Sequence, residues 1–375
     1  MWEHREYSMS MNFRDLYENR LDIIREYKEK NGCLTIGTFC SYVPVEILHS
    51  FGIVPVRIWG KSENIHRADT LLQTFICPPA RHLMALGLDG SYDFLNGIVH
   101  CYTCDATCGL YNIWVRNLNP EFSHLISLPY TAADEALAYS MTEFGNFIEK
   151  IESFTGKKFS AENLKRSIKL YNDARSLLKK VYSFKKSGFP ASYSDIFSMN
   201  LCFQTLPVEM IISGLSAYAC EVEEKERAGG QRLKIMISGS VVSDLPLIDF
   251  IEESGGEIVA DDTCIGLRLL EDVALKGDPL ESLAGYYLTR PPCSSKADFP
   301  ARKASFLETI ADYDIDAVIF IHQKFCDPHL SDYPFLKKIL DEKNIPHLQF
   351  ELESDGFTGG IKTRIESFFE MLEIR

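Results

Sequence analysis

Short apolar runs closed by small, polar or sulfur-bearing residues alternate with helical periodicity over the first third of the chain. Leu34 to Gly37 predicts a strand ending near Cys40. Pro44 to Gly52 predicts a helix opened by proline and closed by glycine, and Ile53 to Trp59 a second strand. Cys77-Pro78-Pro79 precedes a helix over Ala80 to Leu88, which places that thiol at a helix start, a position that favours thiolate. Phe94, Leu95, Ile98 and Val99 read as a strand covered on both faces that runs into Cys101, Cys104 and Cys108. A helix near Leu110 to Asn117 and an apolar segment from Phe122 to Leu128 follow.

From about Thr131 the period changes. Phe144, Phe147, Ile148, Ile151 and Phe154 recur at helical spacing, as do Leu164, Ile168, Tyr171, Leu178 and Val181. A basic run from Lys157 to Lys186 lies here, read as a solvated helix face or as a docking surface. Arg227 to Gly230 reads as a linker. Strand patterns resume at Leu233, Gly256, Asp316 and His347, each followed by polar or sulfur groups, and Ile361 to Leu372 is an amphipathic closing helix. The fold class is α/β with parallel sheets, divided into 1–130, an inserted helical region with its linker over 131–230, and 231–375.

Composition narrows the class. The chain has 375 residues, 46% of them hydrophobic and 25% charged, as in a soluble globular protein of two or three domains. The first seven residues are charged and lack the apolar core of a signal peptide, and no stretch has the length of a membrane span, so a cytoplasmic location without membrane association is expected. A net charge of -14 argues against an extended nucleic-acid surface. Eleven cysteines in such a chain point to buried thiols, metal ligands or redox chemistry rather than disulfides.

Thiols at the carboxyl ends of parallel strands sit where open α/β sheets place their ligands. Cys77, Cys104, Cys264 and Cys326 hold such positions, with Cys101 beside Cys104. The spacing of Cys101, Cys104 and Cys108 matches neither the ferredoxin run nor a zinc ribbon, so it leaves iron-sulfur, zinc and unmetallated thiols all open. Cys33, Cys202, Cys220 and Cys293 lie in apolar or proline-rich contexts and read as inert.

Several phrases together carry a resemblance. They are Phe39-Cys-Ser-Tyr-Val-Pro-Val-Glu46, Pro55-Val-Arg57, Cys77-Pro78, Tyr92 to Val99 with Cys104-Asp105, Asp261-Asp262-x-Cys264-x-Gly266-x-Arg268, Lys324-Phe-Cys326-Asp327 and Lys362-Thr-Arg364. In that order and spacing the chain resembles the 2-hydroxyacyl-CoA dehydratase and benzoyl-CoA reductase family. The resemblance implies two Rossmann-like domains around an oxygen-labile 4Fe-4S cluster, with its three ligands transferring to Cys77, Cys104 and Cys326. It implies an acyl-CoA substrate, a sister subunit in a heterodimer, or else a homodimer, and an activator that is itself an iron-sulfur ATPase and supplies a low-potential electron. The reaction implied is loss of water from a (R)-2-hydroxyacyl-CoA through a ketyl radical.

Relatives with two cubanes joined by a sulfide make a double cubane the alternative, the surplus thiols Cys101 and Cys108 being its motive. Further alternatives are a benzoyl-CoA-reductase-like subunit and a non-catalytic subunit that is structural or only relays electrons. Where family members often carry Gly-Gln before the Thr-Arg of the last helix, this chain has Gly359-Gly360-Ile-Lys-Thr363-Arg364, which puts a polar contact in doubt. Glu46 and Ser41 are the catalytic candidates, as a proton acceptor and a hydroxyl that could bond substrate. Arg57 and Lys61 are candidates to meet coenzyme A phosphates.

Overall fold

The apolar runs become strands wherever helices cover both faces. In the computed structural model, which describes residues 12–133, 135–226, 232–242, 244–296 and 298–373, the first half holds β1 (Leu34–Thr38), β2 (Ile53–Arg57), β3 (Gly97–Cys101) and β4 (Phe122–Ile126). These pair in parallel in the order β2-β1-β3-β4. The second half holds β5 (Leu233–Gly239), β6 (Gly256–Asp262), β7 (Ala317–Gln323) and β8 (His347–Leu352), also parallel, in the order β6-β5-β7-β8. The loose echo between the halves is therefore a repeat of architecture. Both sheets reverse winding at the same place, between β1 and β3 and between β5 and β7. Every residue of β2, β3 and β7 is buried, which is why they read as continuous apolar runs.

One strand starts later than expected. Phe94 and Leu95 lie in a turn closed by the Leu95 N–H on Tyr92 O, and pairing begins only at Gly97. Asn96 sets that boundary by bonding both ways with Thr35: its N–H reaches Thr35 O at 2.8 Å and its Oδ1 accepts from Thr35 N at 3.1 Å. Gly97 then fits because a Cβ there would stand 2.5 Å from Phe122 O.

The middle of the chain forms four helices, Ala136–Thr155, Ala161–Lys186, Tyr193–Thr205 and Val208–Glu223. Ser160 caps the second, its Oγ accepting from Asn163 N at 3.2 Å. Tyr193–Thr205 is buried on nearly all sides and packs against both β2 and β6, so one apolar core runs from Val54 and Val56 through Ile196 and Phe197 to Ile258. In return the helix Pro279–Thr289 packs against Ala136–Thr155 and Ala161–Lys186, and its Leu283 and Tyr287 share a core with Ile36 and Val99. The divisions at 130 and 230 separate the two sheets, while these two helices carry packing across them. The linker Arg227 to Gly230 and the polar first seven residues lie outside the described residues.

The basic run does not form one face. Lys185 is buried against Glu252 at 2.8 Å and Glu257 at 3.4 Å, Lys179 pairs with Asp272 at 2.7 Å and Lys180 with Glu223 at 2.9 Å. Arg175 points inward to Glu46. Arg175 and Lys185 are thus turned inward while Lys165, Arg166, Lys169 and Lys186 stay exposed, and no docking surface is assigned to them. Among the described residues, no helix is long and apolar enough to cross a membrane.

Gly239 closes β5 at φ 152°, and a Cβ there would fall 2.0 Å from Ile321 O of the neighbouring strand. Gly239→Ala is expected to lower the free energy of unfolding by about 2–3 kcal/mol, because β5 and β7 must part to admit the methyl. An unchanged urea midpoint would contradict this close approach.

A thiol-lined cleft between the two sheets

In an open parallel sheet the ligand crevice lies outside the carboxyl ends of the strands, at the point where the winding reverses. Here there are two such points, and they face each other. The segments after β1 and β3 bring Cys40, Ser41, Thr103 and Cys104 to one wall of a cleft, and those after β5 and β7 bring Ser240, Val241 and Cys326 to the opposite wall. Cys77, from the loop after β2, lines the same cleft.

Cys77, Cys104 and Cys326 share a local design. Each is the N-cap residue of a helix, respectively Pro78–Leu88, Asp105–Leu118 and Asp327–Glu342. Three helix amino termini, with their partial positive charge, thus converge on the cleft. Phe325, just before Cys326, is exposed and holds the left-handed conformation at φ 62°, a strained placement that turns the chain sharply out of β7.

Burial nevertheless governs the thiols. It pushes Cys77 up and Cys104 up to about 12, and it raises Cys326 as well. The thiolate expected for Cys77 from its helix-start position is thus not its state in the metal-free fold, because loss of water outweighs the helix. Neighbouring Cys77 adds to the shifts of Cys104 and Cys326, which places the three sulfurs within each other's field. A metal that bound them would displace their protons.

Among the described residues, no three His, Cys, Asp or Glu side chains are close enough to surround a single ion. The ligands of a cubane stand at the separate corners of a body larger than one ion. Three unbridged thiols from both halves of the molecule, Cys77 buried and Cys104 and Cys326 half-buried, stand at three helix amino termini and fit such a cluster.

The surplus thiols are not those expected. Cys101 is fully buried below the cleft, its Sγ donating to Tyr42 O at 3.0 Å, and Cys108 sits on the helix Asp105–Leu118 away from the lining. In their stead Cys40 and Cys293 line the cleft, together with Cys264, expected at the rim, making six thiols with the first three. Cys293 corrects the inert reading. Its backbone N–H meets Tyr42 OH at 3.1 Å and its Sγ lies 3.9 Å from His329 Nε2, while His329 Nδ1 is 3.0 Å from Ser294 Oγ. Burial opposes ionisation of Cys293, but His329 and Arg268 outweigh it and hold the thiol well below its usual range.

The other candidates divide. Ser41 lines the cleft and accepts from Arg290 Nη2 at 3.2 Å. Lys61 lies at the cleft's exposed end, where its Nζ donates to Asp355 O. Arg57 lines the cleft too but is buried, donating to Gln204 Oε1 at 3.0 Å. Glu46 stands apart: it is fully buried outside the lining, one oxygen bonded to Arg175 and the other accepting from Tyr287 OH at 2.9 Å. Sequence reasoning missed Arg290 and Lys296, cations that pack on the Tyr42 ring at 3.9 and 4.8 Å.

Fold and cleft together define a protein of two repeated α/β halves that pool cysteines at facing switch points. Residues 40–372 match the family model described as 2-hydroxyglutaryl-CoA dehydratase, D-component, and the chain belongs to that family. It is 28% identical to a benzoyl-CoA reductase subunit of Thauera aromatica over 96% of both chains. It is 26% identical to the (R)-phenyllactyl-CoA dehydratase beta subunit of Clostridium sporogenes, over 96% of this chain and 98% of that one. With the lactoyl-CoA dehydratase beta subunit of Anaerotignum propionicum identity is 27%, over 96% of this chain and 97% of the other.

Proposed function

We propose that this chain is one subunit of an oxygen-sensitive 2-hydroxyacyl-CoA dehydratase, holding a 4Fe-4S cluster on Cys77, Cys104 and Cys326 and working with a sister subunit. The observation that carries the reading is the convergence of those three helix-capping thiols from both halves on one cleft. When bound, such a cluster supplies one-electron chemistry at low potential and an iron with a position open to a substrate oxygen. The overall reaction is removal of water from a (R)-2-hydroxyacyl-CoA.

The chain's own residues hold and shield. The buried cleft walls keep water from the sulfurs, and the N–H groups of Ala80 and His329, which work against the raised thiols of Cys77 and Cys326, would steady the same sulfurs as thiolates. Ser41, at the junction of the cleft with Arg290, is placed to donate to a substrate oxygen. Lys61, at the open end, suits a coenzyme A phosphate.

Glu46 favours one assignment within the complex. Bonded to Arg175 and Tyr287 and fully buried outside the cleft lining, it favours a supporting role for this chain, with proton transfer carried by its partner. The named relatives, a reductase subunit and two dehydratase beta subunits, agree with a chain that acts in company.

Because the sequence has no Gly-x4-Gly-Lys-Ser/Thr phosphate loop, electron input is assigned to a separate ATP-driven activator. The complex of this chain and its sister should dehydrate substrate only with activator and ATP. Robust turnover with reductant alone would contradict the scheme. The six-thiol lining supports a second reading, a double-cubane reductase, which anaerobic iron and sulfide analysis separates from the first.

A further inference from the structure

Behind Ser41 the cleft backs onto a smaller cavity of about 50 Å³. Cys40, Ser41 and Arg57 form the wall common to both. Three arginines line this cavity, Arg57, Arg175 and Arg290, and they are only 4%, 3% and 6% exposed. Arg175 is matched by Glu46. Arg57 and Arg290 meet no carboxylate among the described residues: Arg57 donates to Gln204 Oε1 and, at 3.8 Å, to Cys264 Sγ, and Arg290 donates to Ser41 Oγ and bonds the Tyr286 side chain.

What surrounds these two guanidinium groups is largely aromatic. Arg57 lies 4.3 Å from the Trp59 ring centre and Arg290 3.9 Å from that of Tyr42. Ring faces offset part of the cost of burying a cation, but they leave its in-plane donors unused. The Nε of Arg57, Arg175 and Arg290 are all buried without a hydrogen-bond partner. In a chain with 53 acidic residues, leaving two buried cations without a carboxylate is a costly arrangement unless something else supplies the charge.

We propose that this cavity is a binding site for a carboxylate, held between Arg57 and Arg290. The size selects the anion: the volume suits a group of a few heavy atoms, since one water needs about 10–15 Å³ by the same kind of measure. A planar two-oxygen anion matches the guanidinium fork, whereas a nucleotide phosphate would exceed the space. Arg57 is therefore reassigned from coenzyme A phosphates to this smaller partner. Arg290 and Tyr286 also line a large cavity on the far side, so these two side chains stand between the two spaces. The site requires no cluster, and it goes beyond the dehydratase reading without resting on it.

Formate and hexanoate distinguish a free small acid from the carboxylate end of a longer chain. Each is titrated into the anaerobically purified full chain at constant ionic strength, with chloride as balance, and the unfolding midpoint is followed together with the line width of the ¹³C-labelled carboxylate. A saturable response is expected, weakened about tenfold or more in Arg57→Gln and in Arg290→Gln, because each removes charge-assisted hydrogen bonds. Lys165→Gln, an exposed helix position, should bind as the unmodified chain does. Should the arginine variants fail to fold, Gln204→Glu sets a carboxylate of the protein's own beside Arg57 and is expected to lose the response by the same factor. Stronger binding of formate identifies a free acid, and stronger binding of hexanoate identifies a chain end. A response that is absent, unsaturable, equal for chloride, or retained in these variants means that the cavity holds only water, and the proposal fails.

Discussion

Alanine at Cys77, Cys104 or Cys326 is expected to remove bound iron entirely, while alanine at Cys101 or Cys108 leaves it in place. The grounds are positional. The first three cap helices at the cleft, whereas Cys101 is bonded to Tyr42 O beneath it and Cys108 is turned aside. Loss of one corner ligand from three leaves the cubane without a closed protein shell. Iron and sulfide assays on anaerobically purified variants decide the matter, with about four irons per chain expected for the unmodified protein. About eight irons, with half lost on replacing Cys40, Cys264 or Cys293, would establish the double cubane instead. Zinc without iron would end both readings.

The second large effect concerns the ion pair of Glu46 and Arg175, with side chains 0% and 4% exposed. Removing one partner strands the other charge in the interior. Arg175→Met is therefore expected to cost about 3–5 kcal/mol of folding stability, and Glu46→Gln with Arg175→Met should recover much of that loss. Chemical denaturation of the four members of the cycle measures the coupling. Glu46→Gln alone is expected to retain its iron, because Glu46 lies outside the cleft that holds the thiols. If Glu46→Gln abolishes turnover in a complex whose sister subunit is intact, while its stability and iron are unchanged, the supporting role assigned to this chain is wrong.

The parts of this molecule legible in its sequence are those whose cause is local. Strands covered on both faces read as apolar runs, prolines mark helix starts, and polar or sulfur groups after a strand mark the rim. The alternation of β and α was visible on those grounds, and so was the placement of Cys77, Cys104 and Cys326 at the ends of elements. Their selection as ligands came from family resemblance and not from spacing. What stayed hidden depends on pairings between distant segments. Glu46 and Arg175 are 129 positions apart, so nothing near Glu46 announces that it is sealed. Cys293 reaches the cleft because the helix Pro279–Thr289 crosses to the other half, and Arg290 travels with it. Phe94 and Leu95 show the opposite limit: an apolar pair resembled strand, and the two-way bond of Asn96 with Thr35 decided otherwise.

The same crossing has a consequence for how the protein comes into being. Cys77 and Cys104 belong to the half made first, while Cys326 leaves the ribosome only after most of the chain has been synthesised. The helix Pro279–Thr289, which completes the core beside β1 and β3, is also a late product. A nascent chain cut off at the end of the helical region would carry two of the three thiols and an unfinished core, with apolar surface open along Ala136–Thr155. Delivery of the cluster proposed above would therefore follow translation, after a stage at which two of its three thiols are made and the third is not.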